Sequence, residues 1–374
     1  RCRKLLHIAQ SVFIFAEAQT LPLPLLRPCV SAIAELVRHY GTTAVLCTAT
    51  QPALDGMFAA CAPELKIREI APDPDGLFDF FRRVRFAQEG AKTDVEVAER
   101  LASEQQVLCI VNSRKRARAI YQMLPEEGRF HLSTLMTAVD RERILKVIRE
   151  RVKDGQPCRV VSTSLVEAGV DVDFPTVWRE MAGLDSILQA AGRCNREGKN
   201  DPAESIVHIF TGEGRVNAGL LLRIAPAVEV LAAYAEINTR EAIAAYFHGL
   251  LGNVGDESLD EKNILQMEAK LLFRTVAEKF KVIDDNSLTV YIPTDDNAED
   301  IRLLRLGEYS RGLLRRLGRT AVNLPQYEFK ALVADDVVES HAQDGFGILL
   351  NPDAYSRECG LDVNSEGGAA LFIM

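Results

Sequence analysis

Short apolar runs alternate with amphipathic stretches over the first 215 residues. Val12–Phe15 and Ala44–Cys47 are apolar runs of strand length, and residues 25–40 between them have helical spacing. The pattern predicts further strands at 107–111, 130–133, 159–162, 176–178 and 206–210, and helices over 94–104, 114–124, 139–153 and 184–193. Strands that alternate with helices predict an α/β fold with a parallel sheet covered on both faces.

The chain divides at changes in this pattern. A cluster of Pro, Asp and Gly at 72–76 interrupts the first alternating region, and residues 216–270 are mostly helical with a flexible-looking gap at 252–256. Residues 288–293 form a strand candidate, followed by an acidic turn at 295–300. We therefore expect domains over 1–86 and 87–215, a mostly helical linker over 216–300 and a small C-terminal accessory domain over 301–374.

Composition limits the possible partners. The 374 residues are 47% hydrophobic and 26% charged, which is ordinary for a soluble globular protein, and the formal net charge is −9. An acidic chain binds nucleic acid only through a local basic track. The arginine-rich helical run Arg302–Arg319 is one such candidate, although a solvated helix face explains it at least as well.

The cysteines, the histidines and the hydropathy further limit the kind of protein that this chain can be. Eight cysteines form no C-x-x-C pair, and Cys47 and Cys109 lie in apolar runs, which predicts buried thiols in a reducing compartment such as the cytoplasm. Six dispersed histidines, none followed by Asp, give no metal site, and no run of eighteen apolar residues predicts a membrane span. The first residue is not Met, so we expect the chain to begin partway through a longer protein.

The segment VSTSLVEAGVDVD combines hydroxyls, a glycine and carboxylates after a strand. Thr163 and Ser164 can donate hydroxyls to phosphate, and Gly169 permits a tight turn. Asp171 offers a carboxylate suited to a ribose hydroxyl. If Asp171 and Asp173 merely alternated outward on a strand, the Thr-Ser pair would remain unexplained.

Two arginines follow about twenty residues later in the pattern Q-x-x-G-R-x-x-R. It comprises Gln189, Gly192, Arg193 and Arg196. Arginines three apart lie on one helical face, and the guanidinium fork grips phosphate with parallel hydrogen bonds. Such a pair after a glycine-containing turn suits an arginine finger that reaches a triphosphate. The alternative is a surface helix with two solvated arginines.

Polar residues also follow the first two strands. Glu17 and Gln19 come after the strand ending at Ala16, in a segment that resembles the D-E-A-Q motif of superfamily 2 helicases. Thr48 and Thr50 belong to a T-A-T sequence that resembles the helicase motif joining ATP hydrolysis to strand movement. Thr50 could instead serve as a helix N-cap.

Two further segments are less specific. Asn112-Ser113-Arg114 ends a strand where a nucleic-acid backbone could pass. His131–Thr134, with Asp140–Arg143 after it, resembles another helicase segment, although the second part could be a solvated helix start.

The order of AEAQTLP, TATQPAL, VLCIVNSRKRA, STSLVEAGVDVDFP and ILQAAGRCNREG resembles the CRISPR-associated helicase-nuclease of type I interference systems. Residues 273–293 and 344–361 resemble that family's linker and C-terminal domain. The resemblance implies tandem RecA-like parallel-sheet domains, the first one incomplete. It also implies an ATP-driven 3′-to-5′ motor on single-stranded DNA, which a Cascade-like RNA-guided surveillance complex recruits for antiviral defence.

The resemblance also implies roles for individual residues. Catalytic roles fall on Glu17, Arg193 and Arg196, and ATP-binding roles on Gln19, Gly169, Asp171 and Gln189. Nucleic-acid or coupling roles fall on Thr48, Thr50, Asn112, Ser113, Arg114, Thr163 and Ser164.

The chain departs from that family in three respects. It contains no G-x-x-x-x-G-K-[ST] phosphate loop, Ala16 replaces the Mg²⁺ carboxylate, and the clustered His and Asp ligands of the nuclease are absent from the sequence. We therefore expect neither ATP nor Mg²⁺ to bind this chain tightly by itself, and expect it to be ATPase-deficient without an N-terminal half. Two alternatives stay open: a non-catalytic module that binds DNA or the surveillance complex, and a piece of a restriction- or repair-type helicase.

Overall fold

The computed structural model describes residues 5–282, 286–341 and 344–363. Its strands are β1 Val12–Ala16, β2 Thr43–Cys47, β3 Arg85–Ala91, β4 Gln106–Ile110, β5 Arg129–Leu132, β6 Cys158–Ser162, β7 Thr176–Glu180, β8 Ile206–Thr211, β9 Ser287–Tyr291, β10 Ala321–Pro325, β11 Val338–His341, β12 Phe346–Leu349, β13 Tyr355–Ser356 and β14 Gly360–Leu361. Every strand predicted from the sequence is present, because apolar runs bounded by polar turns specify strands strongly.

The helices follow the predicted spacing equally closely. They are α1 Leu5–Ile8, α2 Leu26–Tyr40, α3 Asp55–Cys61, α4 Pro74–Phe80, α5 Asp94–Ser103, α6 Arg114–Met123, α7 Ala138–Lys153, α8 Leu184–Ala191, α9 Ala218–Ala233, α10 Arg240–Val254, α11 Ile264–Ala269, α12 Phe273–Lys279, α13 Ala298–Arg305, α14 Arg311–Leu317 and α15 Gln326–Ala334. Side-chain caps define several starts: Thr93 forms a capping box with Glu96 at α5, and Thr137 accepts the Asp140 N–H at α7.

The chain forms two compact units. The first comprises 1–82, 182–188 and 214–284, and the second comprises 83–181, 189–213 and 285–374.

The first unit contains a two-stranded parallel sheet. β1 and β2 pair from Val12 opposite Thr43 to Ala16 opposite Cys47. Buried side chains of α2 and α3, among them Val30 and Phe58, form the core on one side of it. An all-apolar parallel strand is normally covered on both faces. Here Val12 and Ile14 are 65% and 69% exposed, so one face of β1 is uncovered within the described residues.

The second unit is built on a six-stranded parallel sheet in the order β3-β8-β7-β4-β6-β5. Strand β4 is buried on both faces: Leu108 and Ile110 face one apolar cluster, and Val107 and Cys109 face another. The predicted covered parallel sheet of a RecA-like domain is therefore confirmed. Its carboxyl edge carries most of the polar motifs, as expected for an open α/β sheet.

The C-terminal residues add a small α/β module to the second unit. Strands β10-β9-β12-β11 form one sheet, and β13 and β14 form a separate antiparallel pair. Leu135 packs in one cluster with Val290 and Leu361, which joins the module to the parallel-sheet domain. The sheet of this module includes β9, which lies within the expected linker, and the contacts group the module with the parallel-sheet domain.

Some local predictions were wrong. The flexible-looking gap at 252–256 is helical up to Val254, and the acidic turn at 295–300 runs into α13 at Ala298. The arginine-rich run divides into two helices, where Arg316 and Arg302 pair with Asp300 and Glu299. Such pairing within the unit fits the solvated-face interpretation.

The cysteine prediction holds for Cys109 but is wrong for Cys47. Cys109 is buried in β4, whereas Cys47 is exposed at the end of β2. Cys47 differs because β2 lies in a sheet of only two described strands, so its neighbours do not enclose it. Among the described residues, no helix is long and apolar enough to cross a membrane.

Candidate functional site

Glu17 directly follows β1 and has a left-handed backbone conformation. Its φ and ψ are 59° and 51°, a region that costs a non-glycine residue on the order of 1 kcal/mol or more. The Glu17 N–H donates to the Cys47 carbonyl oxygen at 2.9 Å, which ties the end of β1 to β2.

Gln19 connects Glu17 with the segment after β2. Its amide nitrogen donates to Glu17 Oε2 at 2.5 Å, and its carbonyl oxygen accepts from the Thr48 hydroxyl. Thr48 Oγ1 in turn accepts the Thr50 N–H at 3.1 Å. The structure thus joins four residues that the sequence placed in two separate motifs.

Thr50 does not cap a helix. The next helix, α3, begins at Asp55, so the N-cap alternative was wrong. The Thr50 side chain is buried, and its hydroxyl has no hydrogen-bond partner within the part of the chain that the structure describes.

The end of β1 does not suit a magnesium ion. Ala16 pairs with Cys47 in the sheet and offers only a methyl group where a carboxylate would be needed. Across residues 5–282, 286–341 and 344–363, no group of three or more His, Cys, Asp or Glu side chains is placed to hold a metal. Mg²⁺ requires oxygen ligands in octahedral geometry, and these residues do not supply the protein part of that set.

In the second unit, Arg193 is bound to the turn after β6. Its Nε donates to the Val166 carbonyl oxygen at 2.8 Å, and its Nη2 donates to the Glu167 carbonyl oxygen at 2.5 Å. The residue is only 8% exposed. Gly169, at φ +70°, lies in a bend just after these carbonyls, a backbone conformation that glycine adopts without strain.

Arg196 pairs with the other end of the same loop. Its Nε lies 2.9 Å from Asp171 Oδ1, and its N–H donates to Asp173 Oδ1 at 2.6 Å. Asp173 also accepts the Glu197 N–H at 3.3 Å. Residues 170–173 are not a strand, so the interpretation of two aspartates alternating outward along one was wrong.

The sequence predicted that the two arginines lie on one helical face, and this prediction was wrong. Helix α8 ends at Ala191, and Asn195 takes a positive φ of 47° that turns the chain between them. Arg193 is consequently buried, whereas the Arg196 side chain is 44% exposed. Gln189 is half-buried on α8.

Thr163 and Ser164 lie at the carboxyl end of β6. The Thr163 N–H donates to the Leu132 carbonyl oxygen at 3.2 Å, and its side chain is largely buried. Ser164 is exposed and begins a short 3₁₀ turn that ends at Val166. The segment after β6 and the Q-x-x-G-R-x-x-R motif that contains Arg193 therefore lie at the same edge of the sheet.

The Asn112-Ser113-Arg114 segment is held by internal partners. Asn112 Nδ2 donates to the Met181 carbonyl oxygen at 2.9 Å, while its Oδ1 accepts from Arg179 at 2.8 Å. The Ser113 hydroxyl caps α6, and Arg114 forms an ion pair with Glu328 of the C-terminal module. These contacts orient the end of β4.

A buried charge network at this edge was missed by sequence reasoning. Arg179 Nε lies 2.9 Å from Glu167 Oε1, and Arg116 forms ion pairs with Asp94 and Glu180. The signal was available in the sequence, because Arg179-Glu180 ends an otherwise apolar strand where parallel-sheet residues are buried.

The His131–Arg143 segment is more enclosed than the sequence suggested. Burial, with a smaller contribution from the Arg118 charge, lowers the pKa of His131 to about 4. Asp140 is only 9% exposed and accepts from Thr137 at 3.0 Å and from the Tyr355 hydroxyl at 2.7 Å. The solvated helix start was therefore wrong for Asp140.

Comparison with known proteins agrees with this arrangement. Residues 103–199 match a family model described as CRISPR-associated nuclease/helicase Cas3, C-terminal. A CRISPR-associated nuclease/helicase Cas3 from Methanothermobacter thermautotrophicus is 32% identical over 132 residues, which are 33% of this chain and 16% of that protein. The matched family segment contains β4 to β7 and both arginines.

Solved structures extend the likeness over most of the fold. The crystal structure of T. fusca Cas3-ATP has a TM-score of 0.58 and 14% identity, over 90% of this chain and 50% of that one. A CRISPR RNA-guided surveillance complex in a pre-nicking state contains a chain with a TM-score of 0.54 and 14% identity, over 93% of this chain and 56% of that one. This chain therefore spans about half the length of the solved relatives.

Proposed function

We propose that this chain, a C-terminal part of a CRISPR-associated helicase of the Cas3 family, is one portion of an ATP-driven translocase on single-stranded DNA. The motor would serve type I interference, in which a Cascade-like RNA-guided surveillance complex recruits it for target DNA unwinding and degradation. The polypeptide that supplies the phosphate loop is the other partner that the proposal requires.

One observation carries the proposal: Arg193 and Arg196 bind the loop that follows β6. Arg193 donates to the carbonyl oxygens of Val166 and Glu167, and Arg196 pairs with Asp171. Two motifs separated by some twenty residues thus form one cluster of arginine and aspartate side chains at the carboxyl edge of a parallel sheet. Ligands bind at that edge, and arginines there can stabilise charge that develops on a transferring phosphoryl group.

The first unit would carry further residues of the motor. Glu17 would orient the hydrolytic water, and Gln19 would connect Glu17 to Thr48 and Thr50. In the second unit, Gly169, Asp171 and Gln189 would contact the nucleotide. Thr163 and Ser164, together with Asn112, Ser113 and Arg114, would border the DNA path.

The same geometry supports a motor that is inactive by itself. Phosphoryl transfer relies on positioning and on electrostatic stabilisation of the β- and γ-phosphates. This sequence contains no Walker-type phosphate loop, and Ala16 removes a Mg²⁺ ligand. The arginines alone do not replace both losses.

A reconstitution experiment tests the proposal. Phosphate release would be measured with single-stranded DNA for the chain alone, and for the chain joined to the polypeptide that carries the phosphate loop. We expect background rates in the first case and DNA-stimulated turnover in the second. Arg193→Gln and Arg196→Gln should each lower kcat by on the order of 10²-fold or more, whereas Arg302→Gln should not. Unchanged kcat in both finger variants would contradict the proposal.

A non-catalytic binding module is the second candidate, and Ala16 is the observation that favours it. If the chain acts only by docking, the reconstituted protein will not hydrolyse ATP, even with a phosphate loop present. It will nevertheless bind single-stranded DNA or the surveillance complex. Replacing Ala16 with Asp in the reconstituted protein separates the two, because restored turnover would identify a motor that lost one ligand.

A further inference from the structure

We infer that the buried pair Arg179–Glu167 positions the loop that holds Arg193, and that Arg179 is thereby a positioning residue of the motor. The inference rests on the proposed function for its effect on ATP hydrolysis. Its structural part, the control of the Arg193 loop by the pair, stands on the geometry of the second unit alone.

Arg179 lies at the centre of three segments. It is 2% exposed, and its Nε lies 2.9 Å from Glu167 Oε1. Its Nη1 donates to Asn112 Oδ1 and to the Glu180 carbonyl oxygen, both at 2.8 Å. One guanidinium therefore connects β7 with the residue after β4 and with the turn after β6.

Glu167 transmits this anchorage to Arg193. The Glu167 side chain binds Arg179, while its backbone carbonyl oxygen accepts from Arg193 Nη2. Glu167 directly follows the three-residue 3₁₀ segment Ser164–Val166, and a Cβ added at Gly169 would meet no other atom within 4 Å. In a turn this short, a side-chain anchor helps to fix the positions of the carbonyl oxygens.

Stability alone does not explain a buried pair at this position. Removing two charges from water costs more free energy than a surface ion pair contributes. Replacing a buried pair with apolar side chains often leaves the free energy of unfolding unchanged or raises it. Retention of such a pair is better explained where the buried arginine also donates directional hydrogen bonds that fix its geometry. The hydrogen bonds from Arg179 Nη1 to Asn112 Oδ1 and to the Glu180 carbonyl oxygen satisfy that condition.

The decisive variant replaces both charges together, Glu167→Met with Arg179→Met. The matched control is Glu299→Met with Arg302→Met, because that pair has the same residue types but is 67% and 59% exposed. Folding would be followed by urea unfolding through Trp178, the only tryptophan in the sequence, which lies beside Arg179 and is buried.

Two readouts separate positioning from a structural role. The first is hydrogen exchange in this chain labelled with ¹⁵N-arginine, where loss of a signal in Arg193→Lys assigns the Arg193 Nε–H. That Nε–H should exchange with water at least about tenfold faster in the double variant. The second uses the reconstituted motor: kcat should fall by on the order of tenfold or more, with the KM for ATP within about twofold, because the arginine acts in the transition state.

The outcomes are distinct. Faster Arg193 exchange in a variant with an unchanged urea midpoint supports the inference, and unchanged exchange overturns it. If the double variant does not fold, Glu167→Gln removes the carboxylate of the pair at nearly constant volume, and unchanged Arg193 exchange in that variant overturns the inference equally. If Arg193→Gln and Arg196→Gln both leave kcat intact, the proposed function fails, while the exchange measurement still decides whether the pair holds the loop.

Discussion

Gln19 donates its side-chain amide to Glu17 Oε2 at 2.5 Å while its carbonyl oxygen accepts from the Thr48 hydroxyl. One amide therefore fixes the carboxylate after β1 relative to the segment after β2. Because an amide has a donor and an acceptor end, the Gln19 side chain can bond to both neighbours in only one orientation.

This relationship predicts a kinetic effect of Gln19. In the reconstituted motor, Gln19→Leu should lower kcat by roughly tenfold or more, since a general base loses efficiency once its orientation is no longer fixed. The KM for ATP should change less than kcat. Ser103→Ala, which removes an exposed hydroxyl bonded to the Arg100 carbonyl oxygen, is the control. Equal kcat for Gln19→Leu and Ser103→Ala would contradict the prediction.

Arg116 lies between two carboxylates in the second unit. It forms ion pairs with Asp94 and with Glu180, which is only 5% exposed. A Cβ added at Gly212 would lie 2.3 Å from Arg116 Nη1, so the network is closely packed. Arg116→Met leaves Glu180 buried beside an apolar side chain and should lower the free energy of unfolding by roughly 3–5 kcal/mol.

Urea unfolding followed through Trp178 measures this loss. Arg302→Met removes an exposed ion pair and should cost less than about 1 kcal/mol, which makes it the matched control. A similar urea midpoint for both variants would show that Arg116 contributes no more than a surface arginine.

Much of this architecture could be predicted from the sequence, because hydrophobic periodicity determines which strands and helices form. The parallel sheet of the second unit follows from apolar runs such as β4 and β6. The geometry of the arginine pair could not be predicted in the same way. Helix α8 ends two residues before Arg193, and Asn195 takes a left-handed conformation that spacing alone does not reveal.

The charge network was missed for a related reason. The position of Arg179 at the end of an apolar strand indicates burial, but only the fold identifies Glu167 as its partner. The two residues are twelve positions apart and become neighbours only when β6 and β7 enter the same sheet. Likewise, Asp140 meets Tyr355 only through the C-terminal module.

His131 should make the stability of the chain depend on pH. Burial and the Arg118 charge lower the pKa of His131 from 6.5 to about 4 in the folded chain, and the ring also contacts Tyr121. Above pH 6.5 the imidazole is neutral in both states. Between pH 6.5 and 4 only the unfolded chain takes up the proton, so the free energy of unfolding falls as the pH falls.

The size of this effect follows from the shift in pKa. It should approach about 3 kcal/mol at most near pH 4, and less where the unfolded chain is only partly protonated. His131→Asn removes the titrating group, so the difference in unfolding free energy between the two proteins should change with pH over this interval. The carboxylates titrate in both proteins and cancel. A constant difference from pH 7 to pH 4 would show that His131 does not titrate as described.

The exposed side of β1 allows a direct test of whether the polypeptide with the phosphate loop covers this strand. Val12 and Ile14 are 65% and 69% exposed on a strand whose other side packs into the core. Exposed apolar strands promote association, so the isolated chain should self-associate through β1. Val12→Lys with Ile14→Lys should reduce light scattering of the chain alone, yet prevent rescue of ATP hydrolysis by the polypeptide with the phosphate loop. Ile67→Lys, at a position 56% exposed outside the sheet, should do neither. Full rescue with the double lysine variant would mean that the phosphate-loop polypeptide does not cover this face of β1.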